Sequence, residues 1–201
     1  MGLWLAAAPL VLASGSAVRR KILEAAGIPV EVRPASLDER AVEASAPRDE
    51  PSAVAALLAR AKALRVAADF SDRLVVGADQ TLALGNRRFD KAAARAAARA
   101  QLQALAGRTH ELHAAIAVAR GSDVLFEHVG IARLTMRPLS DAVLDRYLTA
   151  AGAGVTASVG GYQLEALGVH LFERIEGDHF TILGLPLLPL LAYLRTEGSL
   201  A

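Results

Sequence analysis

The chain has 201 residues and a formal net charge of +1, from 22 Lys and Arg against 21 Asp and Glu. This near balance excludes the basic excess typical of a protein that binds long nucleic acids. Because the chain has no cysteine, disulfides, thiolate catalysis and cysteine zinc sites are excluded as well. Hydrophobic residues make up 53% of the chain, but no apolar run reaches the roughly 18 residues of a membrane span. We therefore expect a globular protein of the cytoplasm with no membrane partner.

The first half of the chain alternates between short apolar runs and segments of helical periodicity. Its opening residues imitate a secretory signal, but no basic residue precedes the apolar stretch, so we expect them to belong to the mature fold. In chain order, the patterns predict a strand over 10–13, the turn Ser14–Ser16, a helix over 17–26 ended by Gly27, a strand over 30–35 and a loop over 44–51. A helix is then predicted from Ser52, with Ser52 as its cap and an apolar stripe formed by Val54, Leu57, Leu58, Ala61 and Leu64. A strand over 74–78 that ends just before Asp79, a strand over 81–84, and an alanine-rich helix from Lys91 to Gly107 follow.

The residue pattern in the second half of the chain predicts a long hairpin and a C-terminal helix. Alternating residues over 110–119 and 124–136 flank a Gly-Ser turn, as two antiparallel strands do. The remaining predicted elements are a helix over 140–147 capped by Ser140, a loop over 152–161, a strand over 169–175 and a helix over 186–194. Since strands and helices alternate before the hairpin, the predicted fold class is α/β: a mixed, twisted β-sheet with flanking helices, in a single domain over 1–201.

The turn Ser14-Gly15-Ser16 enters a helix that carries Arg19 and Arg20. Free backbone N–H groups at a helix start, hydroxyls and a guanidinium together suit a phosphate group. A capped helix with solvated arginines would contain the same residues, and the local sequence by itself favours that simpler interpretation.

Carboxylates and lysines recur near the predicted ends of strands and helices. Asp38 and Glu39 follow one predicted strand, Asp79 follows another, and Lys62 and Lys91 lie near helix ends. Carboxylates can hold a divalent cation or orient a water, and cations neutralise the charge that develops in phosphate chemistry. Asp is also a common strand terminator, and sequence spacing does not show that these groups meet in space.

Other motifs of known chemistry are absent or weak. The chain has no GxxxxGK[ST] phosphate loop, no HExxH and no GxSxG motif. His110 and His113 lie three apart in a predicted strand, so they point to opposite faces and make a poor metal pair. Asp178-His179 is more typical of a turn than of a catalytic dyad.

Six stretches follow one another in an order that matches a single family from end to end. They are LASGSAVRRKILEAAGIPVEV from Leu12, LDE at 37–39, ARAKA at 59–63, VVGADQT at 75–81, GRTHELH at 107–113 and LFERIEGDHFTILGLPL at 171–187. In these stretches the chain resembles the Maf family, also known through septum-formation inhibitors. Each motif alone would be weak, but together they cover nearly the whole chain.

The resemblance implies a nucleotide pyrophosphatase fold related to the inosine triphosphatase type, with a nucleotide held in a cleft between two lobes. It also implies a divalent metal cofactor, Mg or Mn, and hydrolysis of a nucleoside triphosphate to a monophosphate and pyrophosphate. By position, it assigns phosphate binding to Ser14, Arg19, Lys62 and Lys91, proton acceptance to Asp79, and metal binding to Glu39 and Asp79.

Three positions in the family are associated with the choice of base, and here they hold Val18, Gln80 and Glu165. Gln80 and Glu165 resemble the branch that acts on 7-methyl-GTP, rather than the Thr and Gln of the branch that acts on dTTP and UTP. A carboxylate can accept hydrogen bonds from the Watson–Crick edge of guanine, although a surface Glu in a Gly-rich loop would look the same. Val18 departs from the aromatic that the 7-methyl-GTP branch can carry, so the preferred base stays open.

Two other classes of function compete with the enzyme. In a regulatory interaction protein of cell division, catalysis would be incidental, whereas a nucleic-acid-binding module would use the same basic groups. The near-neutral charge argues against the nucleic-acid module. We therefore expect a nucleoside triphosphate as the partner and no stable nucleic-acid complex. The sequence leaves a homodimer open.

Overall fold

The computed structural model describes residues 2–45 and 50–201, so residues 46–49 of the loop predicted over 44–51 lie outside the described residues. The strands are β1 (Leu10–Leu12), β2 (Val30–Val32), β3 (Val75–Leu84), β4 (Arg87–Phe89), β5 (Thr109–Arg120), β6 (Asp123–Met136) and β7 (Phe172–Glu176). The α-helices are α1 (Ala17–Ala25), α2 (Glu39–Glu43), α3 (Pro51–Ala67), α4 (Arg95–Leu105), α5 (Asp141–Ala151), α6 (His179–Ile182) and α7 (Leu187–Thr196). Two 3-10 helices span Gly152–Thr156 and Leu167–Leu171.

The strands form a seven-stranded sheet in the order β2-β1-β3-β5-β6-β7, with β4 paired to β3. β1 runs parallel to both β2 and β3, and the other pairs are antiparallel. The predicted mixed sheet with flanking helices is therefore confirmed. The predicted hairpin is confirmed too, because β5 and β6 pair along their length across the turn at Gly121, where φ is 57°.

β3 changes partners along one of its edges. β1 pairs with residues 75–76 and β4 with residues 82–84, while β5 pairs along the opposite edge. Among the described residues, neither β1 nor β4 pairs with residues 77–81. The strand end predicted at residue 78 is wrong, because pairing with β5 continues through Ala83. Asp79 thus lies in the middle of a strand, beside an opening in the sheet.

α3 packs against the sheet through small side chains. Ala59 and Ala63 are fully buried in one core cluster with the alanines of β5. At Gly77 the approach is so close that an added Cβ would overlap the backbone of both alanines. Because interiors are close-packed, a side chain at position 77 would push α3 away from the sheet. This close contact places Lys62 of α3 beside Asp79.

The helix predicted from Ser52 is confirmed, but its cap and its buried face differ from the prediction. It begins at Pro51, whose missing N–H needs no partner in a first turn, and Ser52 does not cap it. Ser52 Oγ instead lies 2.8 Å from Nδ1 of His113. In the predicted stripe, Val54 and Leu58 are buried as expected. Leu57, Ala61 and Leu64 are only half-buried, because the alanine side of the helix lies against the sheet.

Lys91 does not open α4, as the alanine-rich pattern predicts. It forms a β-bridge with Val159, and Ala94 is still extended with φ −152° and ψ 164°. Pairing with Val159 overrides the high helix propensity of the alanines, so the helix begins only at Arg95. Gly107 follows the end of α4 with φ 67°, as predicted.

Three smaller differences follow from short elements in the loops. The strand predicted over 30–35 ends at Val32, and α2 then forms where no helix was predicted, with the side chain of Asp38 as its cap. The strand predicted over 169–175 begins at Phe172, because a 3-10 helix occupies the residues before it. The loop predicted over 152–161 contains the other 3-10 helix.

Buried side chains form clusters on the two faces of the sheet. One includes Leu102 of α4, Leu134 of β6 and Leu148 of α5. Another joins β1, α1 and α7, and the alanine-rich cluster lies under α3. Within residues 2–45 and 50–201, no helix has the length and apolar character that crossing a membrane requires.

Candidate active site

The start of α1 is capped and tied to the rest of the fold. Ser16 Oγ caps the helix by accepting the N–H of Arg19. The guanidinium of Arg19 donates to Ser14 Oγ at 3.0 Å and to the carbonyls of Ala78 and Gly184 at 2.8 Å each. Three of its five N–H groups are thus engaged, and its Nη2 has no hydrogen-bond partner among the described residues.

Arg19 also extends the pairing of β1 with β3. The N–H of Ala13 donates to the carbonyl of Val76, and the next carbonyl along that edge, of Ala78, accepts from Arg19 instead. Burial lowers the pKa of Arg19, while the carboxylate of Asp79 acts in the opposite direction. A guanidinium stays cationic at neutral pH, so a positive charge is held where β1 ends.

Lys62 lies between two carboxylates. Its Nζ is 2.6 Å from Asp79 Oδ1 and 2.8 Å from Glu39 Oε1. Lys62 and Asp79 are buried, whereas about half of the Glu39 side chain is exposed. Because a buried charge needs a partner, Lys62 and Asp79 hold each other in one orientation. α3, β3 and α2 each supply one member of this acid–base cluster.

The acid–base cluster also has the donor atoms that a hard divalent cation prefers. Glu39 Oε2 and Asp79 Oδ2 have no hydrogen-bond partner within the described residues, so each carboxylate keeps a free oxygen. In the same part of the chain, no group of three His, Cys, Asp or Glu side chains could form a full metal cage. Mg usually takes one or two carboxylates and completes its shell with substrate phosphates and water, and this pair fits that pattern.

A cleft of about 1190 Å³ opens at the acid–base cluster. This volume exceeds the roughly 300–1,000 Å³ of most small-molecule sites, so the cleft has room for a nucleotide. The structure brings to its lining every residue that the resemblance assigns, namely Ser14, Val18, Arg19, Glu39, Lys62, Asp79, Gln80, Lys91 and Glu165. Their chemical roles stay predictions.

Gln80 is held by the end of α6. Its Nε2 donates to the carbonyls of Thr181 at 3.1 Å and Ile182 at 3.0 Å. Both amide hydrogens are therefore used, and Oε1, an acceptor, is left for a ligand. Because Ile182 and Leu183 line the cleft, Gln80 also fixes the position of an apolar wall.

The loop that leads to Glu165 is anchored by a buried histidine. His110 Nε2 lies 2.7 Å from the hydroxyl of Tyr162, and the hydroxyl of Tyr147 donates to the carbonyl of Gly161 at 3.1 Å. Burial lowers the pKa of His110 to about 4, so the ring is neutral at neutral pH. His110 therefore supports one wall of the cleft without contributing charge.

We expect His110 to make the protein less stable in acid. An unfolded His takes up a proton below pH 6.5, whereas the native one does so only near pH 4. The free energy of unfolding should therefore fall between these values, by up to about 3 kcal/mol from this residue. His110→Gln keeps a partner for Tyr162 but should lack this part of the fall in urea unfolding. His170→Gln, at an exposed site, is the control, and parallel curves for His110→Gln and wild type would contradict the assignment.

Two other candidate groups serve local structure. His113 contacts Ser52 on the α3 side of the sheet, so His110 and His113 point to opposite faces, as predicted. Asp178 caps α6 by accepting the N–H of Thr181 at 2.7 Å. The segment at Asp178 therefore starts a helix rather than the predicted turn.

Several lining residues were not singled out by the motifs. Ile182 and Leu183 lie within the matching stretch at 171–187 but were given no role there. Glu43 had the signal of its spacing, four residues after Glu39, but that pattern needs a helix that was not predicted. The additional polar and apolar lining residues include Arg40, Glu43, Arg88, Tyr162, Ile182 and Leu183.

The fold and the cleft together indicate the class of protein, which is an α/β protein with a site for a phosphorylated ligand. Acidic and basic side chains converge beside the opening in a mixed α/β sheet, next to the ends of its parallel strands, where ligands commonly bind. The free carboxylate oxygens and the cations of the cleft, of which Lys62 is buried, suit a phosphorylated substrate bound together with a metal ion.

Comparison with known proteins identifies the family. The Maf-like protein family matches residues 9–197. The nucleoside triphosphate pyrophosphatases of Bradyrhizobium diazoefficiens and Rhodopseudomonas palustris (strain BisB18) are 56% and 55% identical to this chain over 201 residues, the whole of each protein. The 7-methyl-GTP pyrophosphatase of Rhizobium etli is 52% identical over 193 residues, which cover 95% of this chain and 97% of that protein. The chain belongs to the Maf family, and the resemblance found in its sequence is confirmed.

Proposed function

We propose that this chain is a nucleoside triphosphate pyrophosphatase, a hydrolase that cuts the anhydride bond between the α and β phosphates. One observation carries the proposal: Lys62 contacts both Asp79 and Glu39 inside a cleft that also holds Arg19. This arrangement combines a proton acceptor with fixed cations, as phosphate hydrolysis requires. The names of the two full-length relatives agree with it.

Asp79 is the proposed proton acceptor. Lys62 holds its carboxylate at the opening of the sheet, where it can take a proton from a water that attacks the α phosphorus. A new P–O bond forms, the bond to the bridging oxygen breaks, and pyrophosphate leaves with the bonding electron pair. Arg19, Lys62 and Lys91 neutralise the charge that develops on the phosphate oxygens.

Glu39 and Asp79 are the proposed ligands of a divalent cation, Mg or Mn. The charged side chains of the cleft lining nearly balance, so they do not by themselves neutralise a triphosphate. The lining cations are Arg19, Arg40, Lys62, Arg88 and Lys91, and the lining carboxylates are Asp38, Glu39, Glu43, Asp79, Asp90 and Glu165. When bound, the metal ion supplies Lewis-acid stabilisation of phosphate charge.

A guanine-type base, with 7-methyl-GTP as the first candidate, is the proposed preference. Gln80 Oε1 and the carboxylate of Glu165 are both acceptors in the cleft lining, which suits the N–H groups on the Watson–Crick edge of guanine. The relative from Rhizobium etli has that nucleotide in its name. Val18 offers an apolar contact and no aromatic stacking, so we expect only a weak preference for the methylated base.

Further expectations accompany this function. We propose that residues 1–201 form a single domain whose two lobes face the cleft. We also propose that the protein acts in the cytoplasm, because the chain has no cysteine and so none of the disulfides that are typical of oxidising compartments. The near-neutral charge supports a nucleotide as partner rather than a stable nucleic-acid complex. Light scattering would decide between a monomer and a homodimer. If the protein were instead a regulator of cell division, Asp79→Asn would keep its cellular effect.

A panel of nucleoside triphosphates tests the proposal. GTP, 7-methyl-GTP, dTTP and UTP are assayed for pyrophosphate release with Mg, with Mn and with EDTA. We expect pyrophosphate release from the two guanine nucleotides to be at least about tenfold faster than from the pyrimidine nucleotides. With a pyrimidine, the acceptor oxygens of Gln80 and Glu165 would face a carbonyl group and would lack a hydrogen-bond donor. EDTA should abolish release. Failure to release pyrophosphate from any nucleotide with either metal would overturn the proposed function, and full activity in EDTA would overturn the metal requirement.

A further inference from the structure

α2 carries Glu39 but has little packing of its own. None of its residues is buried, so contacts with the core do not fix its position. Glu39 is its first residue and Glu43 its last, four positions apart and hence on the same face of the helix. The placement of Glu39 over the acid–base cluster therefore depends on side-chain contacts.

The two ends of this face are tied to cations on different elements. Glu39 Oε1 lies 2.8 Å from Nζ of Lys62 in α3, and Glu43 Oε2 lies 3.5 Å from Nη2 of Arg88 in β4. Glu43 and Arg88 both line the cleft, and only about a quarter of each side chain is exposed. The Glu43–Arg88 pair thus links α2 to the sheet beside the cleft.

β4 presents Arg88 on the same face of the sheet as Asp79. Arg88 pairs with Ala83 of β3, four residues after Asp79, and residues at even spacing in a strand share a face. The neighbouring Arg87 points to the other face, where its guanidinium lies 4.6 Å from the ring centre of Phe89. Of these two adjacent arginines, only Arg88 can reach α2.

We propose that Arg88 and Glu43 are positioning residues, whose ion pair holds α2 beside the cleft so that Glu39 faces Lys62 and Asp79. This inference rests on the pyrophosphatase function proposed above. The alternative is that Arg88 binds a substrate phosphate directly. In that case, loss of the Glu43 carboxylate would free Arg88 for the substrate and would not slow the reaction.

Kinetics of Arg88→Gln, Glu43→Gln and the double variant test the proposal, with Arg87→Gln as the matched control. We expect each single change to lower kcat about fivefold with little change in KM, because a partly exposed ion pair contributes little energy and Glu39 stays on the chain. The double variant should be no slower than the slower single one, and the control should match wild type. Exchanging the charges, with Arg88→Glu and Glu43→Arg together, should restore kcat to within about twofold of wild type.

Amide hydrogen exchange over residues 39–43 provides a readout that does not depend on activity. Both single variants should exchange faster than wild type, by about fivefold, since the helix loses one of its two ties. Unchanged exchange, an unchanged or raised kcat in Glu43→Gln, or losses that multiply in the double variant would each overturn the proposal. If wild type released no pyrophosphate, the proposed function would fail, while hydrogen exchange would still decide whether the ion pair holds α2.

Discussion

Asp79→Asn is expected to lower the rate of pyrophosphate release by roughly 10²–10⁴-fold, the range in which general base catalysis contributes. Asn has nearly the shape of Asp but accepts no proton from water at neutral pH. It also removes the negative charge opposite the ammonium of Lys62, whose Nζ lies 2.6 Å from Asp79 Oδ1. The fold should survive, because Lys62 keeps its contact with Glu39 at 2.8 Å.

The control for this variant is Asp90→Asn, the same change at an exposed carboxylate of the same cleft. It should release pyrophosphate at close to the wild-type rate, because Asp90 has no place in the proposed reaction. Thermal unfolding followed by circular dichroism would establish that both variants fold. If folded Asp79→Asn released pyrophosphate at the wild-type rate, another group would have to accept the proton.

Lys62→Met is expected to lower kcat by roughly 10²–10³-fold. This is the range found in other enzymes when one hydrogen-bond donor to the developing negative charge is removed. Methionine keeps most of the apolar stem that packs in the α3 interface and removes the ammonium. The carboxylates of Glu39 and Asp79 would then face each other without the cation between them. A loss mainly in kcat, with a smaller change in KM, would indicate that the charge acts in the transition state.

Lys21→Met is the matched control, because it makes the same change at an exposed lysine of α1. Its kinetics should equal those of wild type. A Lys62→Met variant that kept wild-type kcat and raised only KM would show that Lys62 serves ground-state binding alone, and the mechanism proposed above would need another source of charge neutralisation.

The helix around Lys62 illustrates the limits of sequence patterns. α3 carries apolar residues on most of its surface, so helical spacing alone favoured the stripe through Leu57 and Leu64. The side that is buried contains Ala59 and Ala63, because Gly77 leaves room for a close backbone contact. That contact could not be found from the helix itself, since the glycine that permits it lies in another element.

The strand around Asp79 shows the same effect. An apolar run followed by Asp is typical of a strand end, and the carboxylate was singled out on that basis. The strand continues because β5 pairs beyond Asp79, while the other edge is left open between β1 and β4. Lys91 was placed at a helix start for a similar local reason, although a bridge to Val159 holds its backbone extended.

The sequence by itself determined the family, the α/β class, the long hairpin and the residue types of the site, because these depend on periodicity, turn chemistry and motifs read along the chain. Tertiary structure decided that groups from position 14 to position 165 line one cleft, that Lys62 lies between two carboxylates, and that α2 is tied by Glu43 to Arg88. Those contacts join residues far apart in the chain, and local propensity does not specify which distant backbones pack closely enough to bring them together.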